Sequence, residues 1–237
     1  MKPKSDNLFH FTKSLDVLKL ILKDGVFPRY CLEDLSWLGG GPDHIAFPIS
    51  CFCDIPLSRI DEHTGFYGEY GLGLSKSWGQ KNGLEPVIYA TQGGKILEAW
   101  KYFFYLKLPA ELDPGKFNKH LYRYLSMTKP TEGSMVVGGD IIKKEFFQES
   151  EWRYVAPVMD LIEDDEFEDK KEDENKKVEK YKLQINPNDV RYIFVKSDTD
   201  IPKLVDFINS ELGVFPHNDL KILTSRIVSL DTLRNDL

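Results

Sequence analysis

Two periodicities sit side by side at the start of the chain. In residues 8–12, Leu-Phe-His-Phe-Thr, the side chains of Phe9 and Phe11 point one way and those of His10 and Thr12 the other, which predicts a strand. Leu15, Val17, Leu18, Ile21 and Leu22 then recur at helical spacing, with Ser14 placed to cap the helix and Gly25 to end it. Val26-Phe27-Pro28 is expected to be extended, and residues 35–42, containing Gly39-Gly40-Gly41, to be a flexible loop. Residues 45–55 are apolar, rich in Phe, Ile and Cys, and read as a buried strand; Pro56-Leu57 opens a segment expected to be helical to about His63.

The pattern changes at residues 65–74, GFYGEYGLGL, where glycine alternates with aromatic and aliphatic residues. Glycine accepts positive φ and lets a ligand or another backbone come close. Ser75 is placed to cap a short helix through Trp78. Beyond it the pattern predicts a strand at 86–90, a helix over 96–108 and strand or irregular structure over 119–127. A loop follows, entering a strand at 144–155, then strands at 181–185 and 190–195, an amphipathic helix over 201–212 and a last strand at 220–223. Residues 160–180 are dominated by Glu, Asp and Lys and bury little; they are expected to be a mobile excursion or an exposed charged helix. Short strands separated by irregular loops predict a single α+β domain over residues 1–237, built around a sheet.

Composition narrows the function classes. The 237 residues are 41% hydrophobic and 13% aromatic, enough for a substantial core. A formal charge of −7 argues against bulk binding to nucleic acid, though a local basic groove is compatible with it. The three cysteines are odd in number and lack zinc spacing; Cys51 and Cys53 share a strand face and are expected to be buried thiols in a reducing compartment, with a redox pair as the sharper alternative. The opening MKPKSDNLFHF does not read as a secretory signal, and no run of about 18 apolar residues exists, so a cytoplasmic protein without a membrane span is expected.

Three segments combine titratable groups with glycine or an apolar strand. His10, beside Thr12, is placed to hydrogen-bond a ribose hydroxyl or act as an acid–base group, or else to be a structural imidazole satisfied by the backbone. Tyr67 and Tyr70, among glycines, are placed to stack on a flat ring, or merely to pack. Glu149 and Glu151 stand two apart next to Trp152 and Arg153, a pair suited to ribose hydroxyls and a positively charged sugar-like transition state, or to a surface ion pair. Arg29 and Tyr30 follow the first helix and can hold a phosphate; His63 lies close to the glycine segment; His44, His120 and His217 share no metal spacing. No Walker loop, G-x-S-x-G, H-E-x-x-H or post-strand G-x-G-x-x-G is present.

These blocks together resemble a known family. Leu8–Thr12 with its helix, Ile49-Ser-Cys-Phe-Cys-Asp-Ile-Pro-Leu57, the Phe66–Gly79 stretch and Glu151-Trp-Arg153 look like AbiGi, a family of antitoxins of abortive phage resistance systems. The resemblance spans about residues 7–225 and implies phage defence and a toxin partner. A more distant similarity is to ADP-ribosyltransferases, in the order His10, then Tyr67 or Tyr70, then Glu149-Ser-Glu151. That similarity implies a curved or split, mostly antiparallel sheet clamping NAD, with a phage or host target that includes protein or nucleic acid. His10, Tyr70 and Glu151 would be catalytic, holding ribose, stacking on nicotinamide and stabilising the oxocarbenium-like state. Thr12, Arg29, Tyr67 and Glu149 would contribute to NAD binding, and no metal is called for. The alternative is a non-catalytic antitoxin that silences a toxin by direct contact.

Overall fold

A computed structural model describes residues 5–40, 42–137, 140–158 and 160–235; Gly41 of the glycine loop and the first four residues of the N-terminal stretch lie outside them. In chain order the elements are β1 (Asn7–Thr12), α1 (Leu15–Asp24), β2 (Arg29–Asp34), β3 (His44–Cys53), α2 (Ile60–Tyr67), β4 (Tyr70–Ser75) and α3 (Lys76–Lys81). There follow β5 (Glu85–Pro86), β6 (Ile88–Ala90), α4 (Lys95–Phe104), α5 (Pro114–Ser126), β7 (Thr128–Pro130), β8 (Gly133–Val137), β9 (Asp140–Lys144) and β10 (Glu151–Val155). The rest are β11 (Ile162–Glu163), α6 (Asp164–Val178), β12 (Val190–Val195), α7 (Asp200–Glu211), α8 (His217–Thr224), β13 (Ile227–Ser229) and α9 (Leu230–Arg234). The fold is mixed α+β, with strand pairing mostly antiparallel. The chain groups into two compact units, one of Met1–Val26, Cys51–Glu85 and Lys182–Leu237, the other of Phe27–Ser50 and Pro86–Tyr181.

In the first unit the strands run in the order β13-β12-β4-β1, and Phe9 of β1 pairs with Cys53 at the end of β3. Ser14 caps α1 by accepting from the Val17 amide, and Gly25 ends it at φ 94°. Strand alternation on β1 separates two faces. Phe9 and Phe11 pack with Cys53, Ile55, Ile60, Phe194 and Leu230. Leu8 and His10 pair with Leu74 and Leu72 of β4, and these four point to the opposite side.

The glycines of β4 are explained by the first face. Phe11 stands opposite Gly71, and Phe9 opposite Gly73. A Cβ at Gly71 would come within 2.6 Å of Phe11 Cδ1 and 2.8 Å of the His10 carbonyl oxygen; one at Gly73 would come within 2.9 Å of Phe9 Cε1 and 3.0 Å of Tyr192 Cδ2. What approaches the glycine backbone is therefore the core's own rings. Gly68, at φ 113°, stops α2, and any side chain there would overlap the Thr12 carbonyl.

In the second unit β2 pairs antiparallel with residues 44–49 of β3, and β11 pairs with the same strand at Ala46 and Ile45. The Ala156 amide, just after β10, donates to the Pro48 carbonyl at 2.9 Å. Helix α6 covers this sheet: Val178 is fully buried against Tyr30, Ala46, Ala156 and Ile162, and Asn175 Oδ1 accepts from the Tyr30 amide at 2.8 Å. Its other positions carry lysine–carboxylate pairs one turn apart, such as Lys170–Glu166 and Lys171–Glu168, so the charged 160–180 stretch takes the helical form of its two expected states.

Three expected elements differ. Residues 119–127 belong to helix α5: Phe117, Leu121 and Leu125 recur every four residues, and Asp113 caps the start with Pro114 in the first turn. Residues 220–223 lie in α8, because four apolar-rich residues are too few to separate strand from helix by period. Residues 181–185 contribute a single bridge, Val26 to Leu183, rather than a strand. Gly71→Ala is expected to cost about 1–3 kcal/mol through overpacking against Phe11. The check is the thermal midpoint, which should fall by about 2–4 °C per kcal/mol for a chain of this size.

Candidate functional site

On β1, alternation brings His10, Thr12 and, through the Thr12–Tyr70 cross-strand pair, Tyr70 to one face of the first unit's sheet. His10 Nδ1 donates to the Cys51 carbonyl at 2.8 Å, which fixes the proton on that nitrogen. The ring lies 5.1 Å from Phe52, itself 5.6 Å from Trp78. Burial lowers the His10 pKa below its ordinary value, and the Cys51 carbonyl offsets this only in part. Tyr70 donates its hydroxyl to Asp200 Oδ2 at 3.0 Å, and Lys203 holds the other oxygen at 2.8 Å. Burial first, and then Asp200, push the Tyr70 phenol up to about 12.

Tyr67 is elsewhere. It ends α2, stacks 4.5 Å from His63, which lies 5.5 Å from Phe11, and packs against the Phe9–Phe11 cluster. Tyr67 and Tyr70 therefore occupy opposite faces of the same sheet rather than one stacking platform. The cause is Gly68, which turns the chain from helix to strand between them.

Glu149 and Glu151 belong to the second unit, where they enter a buried charge network. Arg153 has no exposed side-chain surface; its Nε donates to Glu151 Oε1 at 2.6 Å, Nη2 to Glu33 Oε2 at 2.7 Å, and Nη1 to the Ser126 carbonyl at 2.7 Å. Lys129 Nζ lies 3.0 Å from Glu151 and 3.4 Å from Glu149, and Lys144 Nζ 2.5 Å from Glu149. The Glu151 amide donates to the Tyr89 hydroxyl at 2.9 Å. The two glutamates meet Lys129 not by strand alternation but through Ser150, whose left-handed backbone (φ 44°) joins a 3₁₀ turn to β10.

Burial works to lower the Lys129 pKa, but the fields of Glu151, Glu33 and Glu149 outweigh it and hold the ammonium well above its usual value. Burial likewise works to raise the Glu149 pKa, and Lys129 and Lys144 reverse it, so Glu149 titrates low. At Lys144 burial prevails and the pKa falls. At the half-buried Cys31, loss of solvation first, and then Glu33, push the thiol up to about 12, so it remains protonated.

Arg29 points elsewhere: its guanidinium pairs with Glu179 at 3.1 Å and covers the Phe27 ring. Sequence reasoning missed Glu33, Lys129 and Lys144, which arrive from distant segments with no spacing to announce them. The ion-pair alternative for this segment put it on a surface, whereas Glu151 and Arg153 are both buried. Among the described residues, no group of three or more His, Cys, Asp or Glu side chains is placed to hold a metal, and no helix is long and apolar enough to cross a membrane.

Glu151→Gln should cost roughly 3–5 kcal/mol, because it leaves the buried Arg153 undercompensated. Removing the exposed partner of Arg29 with Glu179→Gln should cost less than about 1 kcal/mol; denaturant titration of both variants checks the contrast. For His10 the unfolded pKa is about 6.5 and the folded one lower, so the unfolded chain takes the proton first. Stability attributable to His10 is thus present above that value and lost as pH falls toward the folded pKa. The loss between pH 7.5 and 5.5 should shrink in His10→Asn, read as denaturation midpoints at the two pH values.

Comparison with known proteins agrees with the first of the two resemblances. The chain is 29% identical to the abortive phage resistance protein AbiGi of Lactococcus lactis subsp. cremoris over 248 residues, covering 88% of this chain and 98% of that one. No solved structure matches. Residues 24–196, which include Glu33, Lys129, Glu149, Glu151 and Arg153, match the family described as "Putative abortive phage resistance protein AbiGi, antitoxin", and the chain belongs to that family.

Proposed function

We propose that this chain is a phage-defence antitoxin that works by binding its toxin rather than by catalysis. One observation carries the reading: the carboxylate a catalytic site would need, that of Glu151, is paired internally. Glu151 receives Arg153 and Lys129 and lies buried in a network of three cations and three carboxylates. His10 Nδ1 donates to the Cys51 carbonyl, which fixes the ring and leaves only Nε2 for proton transfer. Catalytic acids and bases need a proton-transfer partner within hydrogen-bond reach, and a carboxylate held by two buried cations is a poor base. The family description, which carries the word antitoxin, supports the same reading.

A second reading, ADP-ribosyl transfer from NAD to a protein or nucleic acid, draws on the shared face of His10, Thr12 and Tyr70. An imidazole, a hydroxyl and a phenol there suit a ribose. In that reading Glu151 would stabilise the oxocarbenium-like state.

One pair of assays separates them. The purified chain, incubated with nicotinamide-labelled NAD and with host or phage-infected extract, is expected to release no nicotinamide above a buffer blank. Co-expression with a growth-arresting toxin encoded next to its gene is expected to restore colony formation. Nicotinamide release that rises with enzyme concentration would sink the binding reading.

A further inference from the structure

Helices α4 and α5 of the second unit are unlike the rest of the surface. Residues 95–126 carry six lysine and arginine residues against three carboxylates, in a chain whose overall charge is −7. They also expose rings: Tyr102 is 66% exposed, Tyr124 63%, Tyr105 53% and Phe103 49%. The 13 residues of α5 bury only Leu125 and Ser126.

The order of residues on α5 is specific. Lys116, His120, Arg123 and Tyr124 stand at i, i+4, i+7 and i+8, one stripe of a 3.6-residue helix, and all four are exposed. Tyr124 meets the buried Trp100 of α4 edge-on at 6.4 Å, which holds the exposed tyrosine ring in place. On α6, by contrast, each lysine has a carboxylate one turn away at 3.0 Å or less. Among the described residues no carboxylate lies within ion-pair distance of Lys116 or Arg123.

We propose that this α5 stripe, with the exposed Tyr124 ring in it, binds single-stranded nucleic acid. The two cations, Lys116 and Arg123, stand two turns apart, about 10 Å along the axis, with His120 between them as a further hydrogen-bonding group, an arrangement a phosphate backbone can follow. Exposed rings next to them give flat faces on which unpaired bases stack without regard to sequence. A duplex hides those faces and presents fewer of them. An acidic protein partner would satisfy the cations but gives the outward tyrosine ring no comparable flat counterpart.

The assay is fluorescence polarisation of the full chain with a fluorescein-labelled 20-nucleotide oligo-uridylate, an oligo-thymidylate of the same length and a duplex. The single strands are expected to bind more tightly than the duplex, and the affinity to fall steeply between 50 and 200 mM salt. Lys116→Glu with Arg123→Glu should weaken binding by at least roughly tenfold. Tyr124→Ala should weaken it roughly fivefold or more at unchanged salt slope. Lys170→Glu on α6 should leave it unchanged. Matching thermal midpoints confirm that the variants remain folded, as exposed positions allow. Absence of binding at 50 mM salt, or binding indifferent to the α5 substitutions, overturns the proposal. So does an outcome in which the α5 substitutions abolish toxin protection while no oligonucleotide binds, which would assign the face to a protein. The proposal does not rest on the antitoxin reading, since oligonucleotide affinity and toxin protection are read separately.

Discussion

A guanidinium with no exposed surface is the constraint on which the second unit depends. Taking Arg153 out of water costs several kcal/mol even after relaxation, and only well-placed acceptors offset that. Those acceptors come from three places: Glu33 on β2, the Ser126 carbonyl at the end of α5, and Glu151 on the same strand as Arg153. Two carboxylates on one guanidinium are in turn an excess of negative charge, which Lys129 reduces from the far side of Glu151. Glu149 and Lys144 join the same network, so that among the described residues Arg153, Lys129 and Lys144 face Glu33, Glu149 and Glu151. Such a balanced network specifies where β2, β10 and the α5–β7 junction sit, and it makes each member costly to remove.

The first unit depends on a steric constraint instead. Phe9 and Phe11 lie across β4 because Gly73 and Gly71 offer no side chain, and their rings then reach Phe194 at 5.8 and 5.6 Å. The same strand alternation that sends these rings into the core sends His10 to the other face, where the Cys51 carbonyl awaits it. A glycine pattern that suggests a ligand platform is thus accounted for by aromatic packing, and the imidazole beside it by a backbone hydrogen bond. Both fit the view that the residues here with chemical character are serving the fold.

The sequence revealed local features well and distant ones poorly. Ser14, Gly25 and Ser75 act as the caps and stops their residue types imply, since capping depends only on neighbours within four residues. Strands β1 and β12 and helix α7 follow from periodicity for the same reason. The Glu149–Glu151 pair was visible as a pair, but its meaning depended on Lys129 and Glu33, which no local pattern connects to it. Residues 119–127 misled because His120, Tyr122 and Tyr124 fall on alternate positions, which resembles a strand when the inner stripe of the helix is only Phe117, Leu121 and Leu125.

That weak inner stripe bears on where function lies. Burying an aromatic ring stabilises a fold by a few kcal/mol, and a helix that leaves its tyrosine outside forgoes that gain. Uncompensated cations beside the ring add mutual repulsion. On α6, each lysine has a carboxylate one turn away. Stability within the chain does not account for the combination of Lys116, Arg123 and an outward Tyr124 on one stripe. A partner that supplies negative charge and a flat apolar face does.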